Sequence, residues 1–338
     1  MSTEKYPSVS LHNVAELEDA EWTPDGDRLS RVPAPVRRDL NEEARHRVRH
    51  PTHSEIRFVP EDDAEEIEIT LSAPERAELR IFWGSFQPWE AKAIDSTPKT
   101  FTLGVPERLA ELDDSVDEGR FDPRVCRIVF ERLVPVALHD VSGHCRPPTA
   151  AELPDRRYLA YGTSITEGAK ASAAHLSFVT QIARANDYDV VNLGCSGSAY
   201  ADPAMAEYIA DREDWDVATL ALSVNMANAE FTRAEFRERA EYFVNTIAQA
   251  HPEKPVVCVT LFPYFADVTE SGDPERAEAF RSALRTVVKE SPHENVSLVD
   301  GTELLDASEL TWDILHPADE GMRSIAAGLA PRLDERRK

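Results

Sequence analysis

From about residue 155 onward, short apolar runs alternate with longer segments of helical period. This alternation constrains the fold more than any other feature of the chain. The apolar runs lie at Tyr158–Tyr161, Val190–Leu193, Val217–Leu222, Val256–Leu261 and Val296–Val299. Segments with the 3.6-residue period fill Leu176–Ala185, Ala234–Ala250, Pro274–Val288 and Gly321–Leu329. A strand that is apolar along its whole length is buried on both faces. The pattern therefore predicts an α/β fold of three layers, with a five-stranded parallel sheet between two layers of helices. In such sheets ligands bind beyond the carboxyl ends of the strands, which says where chemistry is to be sought.

The preceding residues read differently. Ile67, Ile69 and Leu71 alternate with Glu66, Glu68 and Thr70, the signature of a half-buried strand. Similar runs fall at Ile56–Val59, Leu79–Trp83, Thr100–Leu103 and Val125–Val129, separated by Pro, Gly and acidic turns. The reading is an antiparallel β-sandwich over residues 21–148, an N-terminal extension over 1–20, and the α/β domain over 155–335. The Pro-rich stretch Gly143–Thr149 leads from one to the other.

Charge limits the partners. Lys and Arg number 37 against 62 Asp and Glu, a formal charge of −25. Such a chain repels nucleic-acid backbones and anionic membranes, so neither is expected as a partner. The acid is spread along the chain and only seven of the basic residues are Lys. This combination is similar to proteins of salt-adapted cytoplasms, where concentrated salt screens self-repulsion. No apolar run is long enough to span a bilayer, and the N-terminal residues lack the apolar stretch of a secretion signal. A cytoplasmic location is expected, with Cys126, Cys145, Cys195 and Cys258 reduced. Outside the run Arg45–His53, which could form an anion or metal patch, no His pair has metal-ligand spacing, and no Cys pair has it, so neither metal nor cofactor is expected. The locally basic run Arg45–His53 reads as a solvated strand face or loop.

Four short motifs carry chemistry-bearing residues to the rim of the predicted sheet. Leu159–Gly168 places Ser164 just past the first strand of the α/β domain, two residues after a Gly that allows a tight turn. Asn192–Gly197 puts Gly194 at the end of the second strand, where a glycine lets backbone approach a ligand closely. Leu222–Asn228 puts Asn225 at the end of the third, and an Asn amide is a common oxyanion donor. Asp313-Ile314-Leu315-His316 precedes the last helix, with an acid and an imidazole three residues apart on one turn. Taken singly, each fits a plain turn or cap. Taken in order, they converge on one rim.

As an ordered set, these segments resemble the sequence blocks of the GDSL/SGNH hydrolases. Ser164, Gly194, Asn225 and Asp313/His316 match the Ser, Gly, Asn and D-x-x-H positions, and the resemblance covers roughly residues 155–335. Two positions depart: Thr163 stands where the family name has Asp, and Ser223 where the third block usually has Gly. The resemblance implies a flavodoxin-like SGNH domain and a serine esterase. Ser164 would be the nucleophile, His316 its base and Asp313 the orienting acid, with an oxyanion hole from Ser164, Gly194 and Asn225. The N-terminal half is similar in architecture to a subset of the family with a jelly-roll-like domain before the hydrolase. Carbohydrate deacetylases and a polyketide-tailoring acyltransferase belong to that subset.

The expected substrate is a small-molecule ester or acylated sugar, with short acyl chains. An acyltransferase would use the same triad with a different acceptor. A non-catalytic carbohydrate-binding protein on the same scaffold is the third reading. The aromatic segment Phe82–Trp89 offers Trp83 and Trp89 either as sandwich core or as a lining of the acyl or sugar pocket.

Overall fold

Alternating side chains in the first half, and uniformly apolar strands in the second, produce two units with separate cores. The computed structural model describes residues 5–61, 66–113 and 120–334. Its first unit takes the described residues up to 34 and from 48 to 155; its second takes 35–47 and those from 156 on. Residues 1–4 of the expected extension and residue 335, the expected end of the α/β domain, lie outside the described residues.

The first unit holds β1 (Ser10–His12), β2 (Glu16–Asp19), β3 (Asp27–Ser30), β4 (Glu55–Pro60), β5 (Ile67–Ser72), β6 (Ala77–Trp83), β7 (Lys92–Ile94) and β8 (Lys99–Leu103). It also holds β9 (Cys126–Phe130), β10 (Ala137–Ser142) and β11 (Cys145–Arg146). Two short helices, α1 (Ala34–Arg38) and α2 (Glu42–Arg47), interrupt the strand sequence between β3 and β4, and α3 (Glu107–Ala110) follows β8. One sheet runs β1-β4-β9-β6-β7 with β11 also on β4, and the other runs β2-β3-β10-β5-β8. Every pairing in both is antiparallel.

Leu17, Leu29, Ile69 and Leu71 from one sheet and Ile56, Phe58, Leu79 and Ile128 from the other form a single core. In β5, Ile67 and Ile69 are buried while Glu68 between them is exposed, as the period of two requires. Strands β1 and β2 fall within residues 1–20, the stretch expected as an extension. They are too short to show a period. The run Arg45–His53 divides: Arg45 and His46 are exposed on α2, whereas His50, Thr52 and His53 are buried. The expectation of a solvated run holds only for its first residues.

The second unit holds β12 (Arg156–Gly162), α4 (Phe178–Ala185), β13 (Tyr188–Asn192), α5 (Pro203–Ala210), β14 (Val217–Ala221), α6 (Val224–Ala227) and α7 (Arg233–Ala250). It continues with β15 (Val256–Val259), α8 (Phe265–Val268), α9 (Pro274–Glu290), β16 (Val296–Val299) and α10 (Asp319–Asp334). The five strands are parallel in the order β13-β12-β14-β15-β16, the flavodoxin-like order in which the first strand sits inside the second. Tyr158 and Ala160 face a core with Phe178, Ile182, Ile325 and Leu329 from α4 and α10. Tyr161 points the other way and stacks on Phe243 of α7, with ring centroids 4.6 Å apart. Helices thus cover both faces, and all five strand tips rise to one rim.

Among the described residues, no helix is long and apolar enough to cross a membrane. The four cysteines are buried thiols. The sandwich core makes a direct prediction. Leu79→Ala removes a fully buried side chain from the centre of the first unit, and should lower unfolding free energy in urea by about 2–5 kcal/mol. A loss below about 1 kcal/mol would contradict this packing.

Candidate active site

Strand β12 ends at Gly162, where the chain must pass close to β14: a Cβ there would stand 2.8 Å from the Ala221 carbonyl. The turn that follows carries Ser164, which is buried, and the Ala169 N–H closes it on the Ser164 carbonyl at 2.8 Å. Ser164 Oγ lies 2.9 Å from His316 Nε2. On its other side, His316 Nδ1 lies 2.8 Å from Asp313 Oδ2. Residues 152 positions apart in sequence are thus brought into one hydrogen-bonded line.

The Asp313–His316 turn is built around the Asp313 carboxylate. Its Oδ1 accepts the backbone N–H groups of Leu315 and His316, both at 2.9 Å, and the Thr311 hydroxyl at 2.9 Å. Partial burial works against the charge of Asp313. The N–H and ring of His316, the Leu315 N–H and the Thr311 hydroxyl outweigh it and hold the carboxyl well below the usual carboxylate range. An ionised carboxylate only accepts, so His316 Nδ1 carries the proton and Nε2 is left as acceptor for the Ser164 hydroxyl. Ile314 takes a left-handed conformation (φ 53°), unusual for a β-branched residue. Its carbonyl accepts the Phe265 N–H at 2.6 Å, tying the turn to α8.

Asn225 sits in α6, directly after β14, and its Oδ1 accepts the Ala199 N–H at 3.1 Å. That bond orients the amide, and Nδ2 has no protein acceptor among the described residues. The backbone N–H of Ser164 has none either. Asn225 reaches this position because the chain turns sharply at Ser223, whose φ is 106°. Glycine adopts such a conformation without strain, which accounts for the family's usual residue here.

Gly194 requires a correction. Its N–H is already bound to Asn192 Oδ1 at 2.8 Å, so it is not available to an oxyanion. The reason for a glycine here is close packing: a Cβ would stand 2.6 Å from the Glu167 backbone nitrogen. The glycine of this loop whose N–H is left open is Gly197, three residues on. It is exposed, has φ 71°, and its N–H has no protein acceptor among the described residues. The spacing of Ser196-Gly197-Ser198 was the available signal, since a glycine between two serines beyond a strand marks a left-handed turn. The loop is held from the Ser164 side. Cys195 N–H donates to the Gly162 carbonyl at 2.9 Å, and buried Glu167 accepts both the N–H and the hydroxyl of Ser196. Glu167 went unrecognised as a brace because nothing in its spacing points to Ser196.

The two tryptophans lie in the first unit. Trp83 is buried in the sandwich core, edge-on to Phe58 at 6.4 Å, which is the core role its segment allowed. Trp89 is fully exposed. Thr163, at the other departure from the family pattern, is buried, and its carbonyl accepts the Glu167 N–H at 3.0 Å. A side-chain charge is not needed there to close the turn.

Residues 155–334 match the GDSL-like lipase/acylhydrolase family. No curated sequence matches the chain. Among solved structures, the fold is similar to the salicylyl-acyltransferase SsfX3 from a tetracycline biosynthetic pathway. The identity is 16%, the TM-score 0.77, and the match covers 96% of this chain and 93% of that one. It is also similar to a family two carbohydrate esterase from Clostridium thermocellum, solved with cellohexaose, at 14% identity and TM-score 0.63, covering 97% and 98%. A family two carbohydrate esterase from Cellvibrio japonicus matches at 14% identity and TM-score 0.63, covering 98% and 95%.

The turn at Ser223 yields a prediction. A non-glycine residue at such a φ costs roughly 1–3 kcal/mol, and glycine's unfolded-state entropy takes back roughly 0.5–1. Ser223→Gly should therefore raise unfolding free energy by about 1 kcal/mol without loss of activity. A lower midpoint in urea would contradict the strain assigned to this turn.

Proposed function

Because the chain belongs to the GDSL-like lipase/acylhydrolase family, we propose that it is a carboxylic-ester hydrolase that cleaves short-chain or carbohydrate-linked esters through an acyl-serine intermediate. The observation that carries this reading is the line from Ser164 Oγ through His316 to Asp313, at 2.9 and 2.8 Å. Ser164 Oγ attacks the ester carbonyl carbon while its proton passes to His316 Nε2. The Asp313 carboxylate stabilises the imidazolium that results. The tetrahedral oxyanion is held by the N–H of Ser164, the N–H of Gly197 and Nδ2 of Asn225, three donors left without protein acceptors. As the carbonyl re-forms, the alcohol leaves with the proton from Nε2. Water, deprotonated by the same nitrogen, then releases the acid and restores the serine.

The substrate class rests on the likeness to carbohydrate esterases over nearly the whole chain. A second reading has the acyl group passed to an alcohol instead of water. The likeness to an acyltransferase at TM-score 0.77 supports it, and the same residues perform it. Rates of acid and new-ester formation from acetylated sugars, with and without added alcohols, separate the two.

The nucleophile is tested directly. Ser164→Ala should lower kcat/KM on an aryl acetate by at least about 10³-fold with the fold intact. A variant that keeps more than a few per cent of the rate would refute the assignment. We also propose that the charge of −25 reflects a working environment of concentrated salt. Melting temperature and esterase rate should both rise as salt increases from dilute buffer into the molar range. Full activity and an unchanged melting temperature in dilute buffer would remove this part of the reading.

A further inference from the structure

The loop that carries Gly197 is held on two sides. Glu167 and Gly162 hold it on the side of Ser164. On the other side stands Asn41, which comes from far upstream in the sequence. Residues 35–47 lie in sequence between β3 and β4 yet belong to the α/β unit. Asn41 Nδ2 donates to the Ser198 carbonyl at 2.9 Å and to Asp202 Oδ2 at 2.6 Å, and the Asn41 backbone N–H reaches the same Asp202 oxygen at 3.2 Å. Ser198 and Asp202 are both buried. Arg239 adds to the clamp, pairing with Asp202 Oδ1 at 3.5 Å and donating to the Tyr200 carbonyl at 3.1 Å.

Ser198 has Gly197 on one side and Ala199 on the other. The Ala199 N–H is the donor that orients the Asn225 amide. The Ser198 carbonyl and the Ala199 N–H belong to one peptide plane, so the bond from Asn41 to that carbonyl fixes the direction of the Ala199 N–H. We infer that Asn41 is a positioning residue for the oxyanion hole, acting through the Ser198–Ala199 peptide on the Asn225 amide. The inference rests on the serine-esterase reading above. Its content is new to it: residues 35–47, numbered within the β-sandwich sequence, set the rate of the chemical step. Asn41 touches no reacting atom. It sets the angle at which the Asn225 amide meets the developing charge, and small misplacements of such a donor cost large factors in rate.

Asn41 also has a plain structural duty. Its Oδ1 accepts the Ala44 N–H at 3.1 Å, capping α2. Asn41→Asp separates the two roles. Aspartate is an equally good cap, but it cannot donate to the Ser198 carbonyl and it sets a second carboxylate against Asp202. The test is steady-state kinetics of the full chain on an aryl acetate, with melting temperatures, for N41A, N41D, N225A, N41A/N225A and S164A. N41A and N41D should both lower kcat by about 10- to 100-fold while KM stays within about twofold. In the N225A background, N41A should add less than about threefold, because both changes act on one donor set. N41D with wild-type kcat would overturn the inference, as would losses that multiply in full in the double variant. If S164A or N225A keeps full activity, the esterase reading itself fails. If those two are impaired and N41D is not, only the role of Asn41 fails.

Discussion

The Asp313 carboxylate accepts four hydrogen bonds within a stretch of six residues, and the rest of the candidate site depends on that cluster. Three of the bonds shape the turn, and the fourth orients the imidazole. Because those bonds keep the carboxylate charged, the proton of His316 resides on Nδ1. Nε2 is then an acceptor that faces a buried hydroxyl. The acid–base character of Ser164 thus follows from the geometry of a loop about 150 residues away. The parallel sheet supplies the rest, since its strand tips carry Ser164, Gly197 and Asn225 to one rim by order of connection.

Much of this is legible in the sequence. The strands at Tyr158–Tyr161, Val217–Leu222 and Val256–Leu261 are apolar because helices cover both faces, and that is a property of sequence alone. The alternation at Ile67, Ile69 and Leu71 marked a sandwich strand for the same kind of reason. Ser164, Asn225, Asp313 and His316 were legible because each follows a strand or precedes a helix that could itself be read. Gly194 was misjudged for a physical reason: the role of a glycine depends on where its N–H points. Spacing does not encode that direction. Both Gly194 and Gly197 follow the same strand, yet Asn192 takes the N–H of the first and leaves the second open.

The remaining misses are non-local. Nothing in residues 35–47 shows that they leave the β-sandwich for the α/β unit, because the partners Ser198 and Asp202 lie about 160 positions on. Nothing in the sequence around Glu167 pairs it with Ser196. The half-buried stretch from Arg45 to His53 reads as solvated because its charge outweighs its few apolar residues. In each case the deciding term is a hydrogen bond to a group from a distant part of the chain. Buried polar groups must find such partners, and a single sequence does not say which.

The account turns on a covalent acyl group passing through Ser164. The most direct measurement is mass spectrometry of protein quenched with acid during turnover of an aryl acetate, followed by peptide mapping. The account predicts one acetyl group per chain, carried on the peptide that contains Ser164 and located at that residue. An acetyl group on any other side chain, or steady turnover by an unmodified chain under conditions that trap acyl-serine in a known serine esterase, would contradict it.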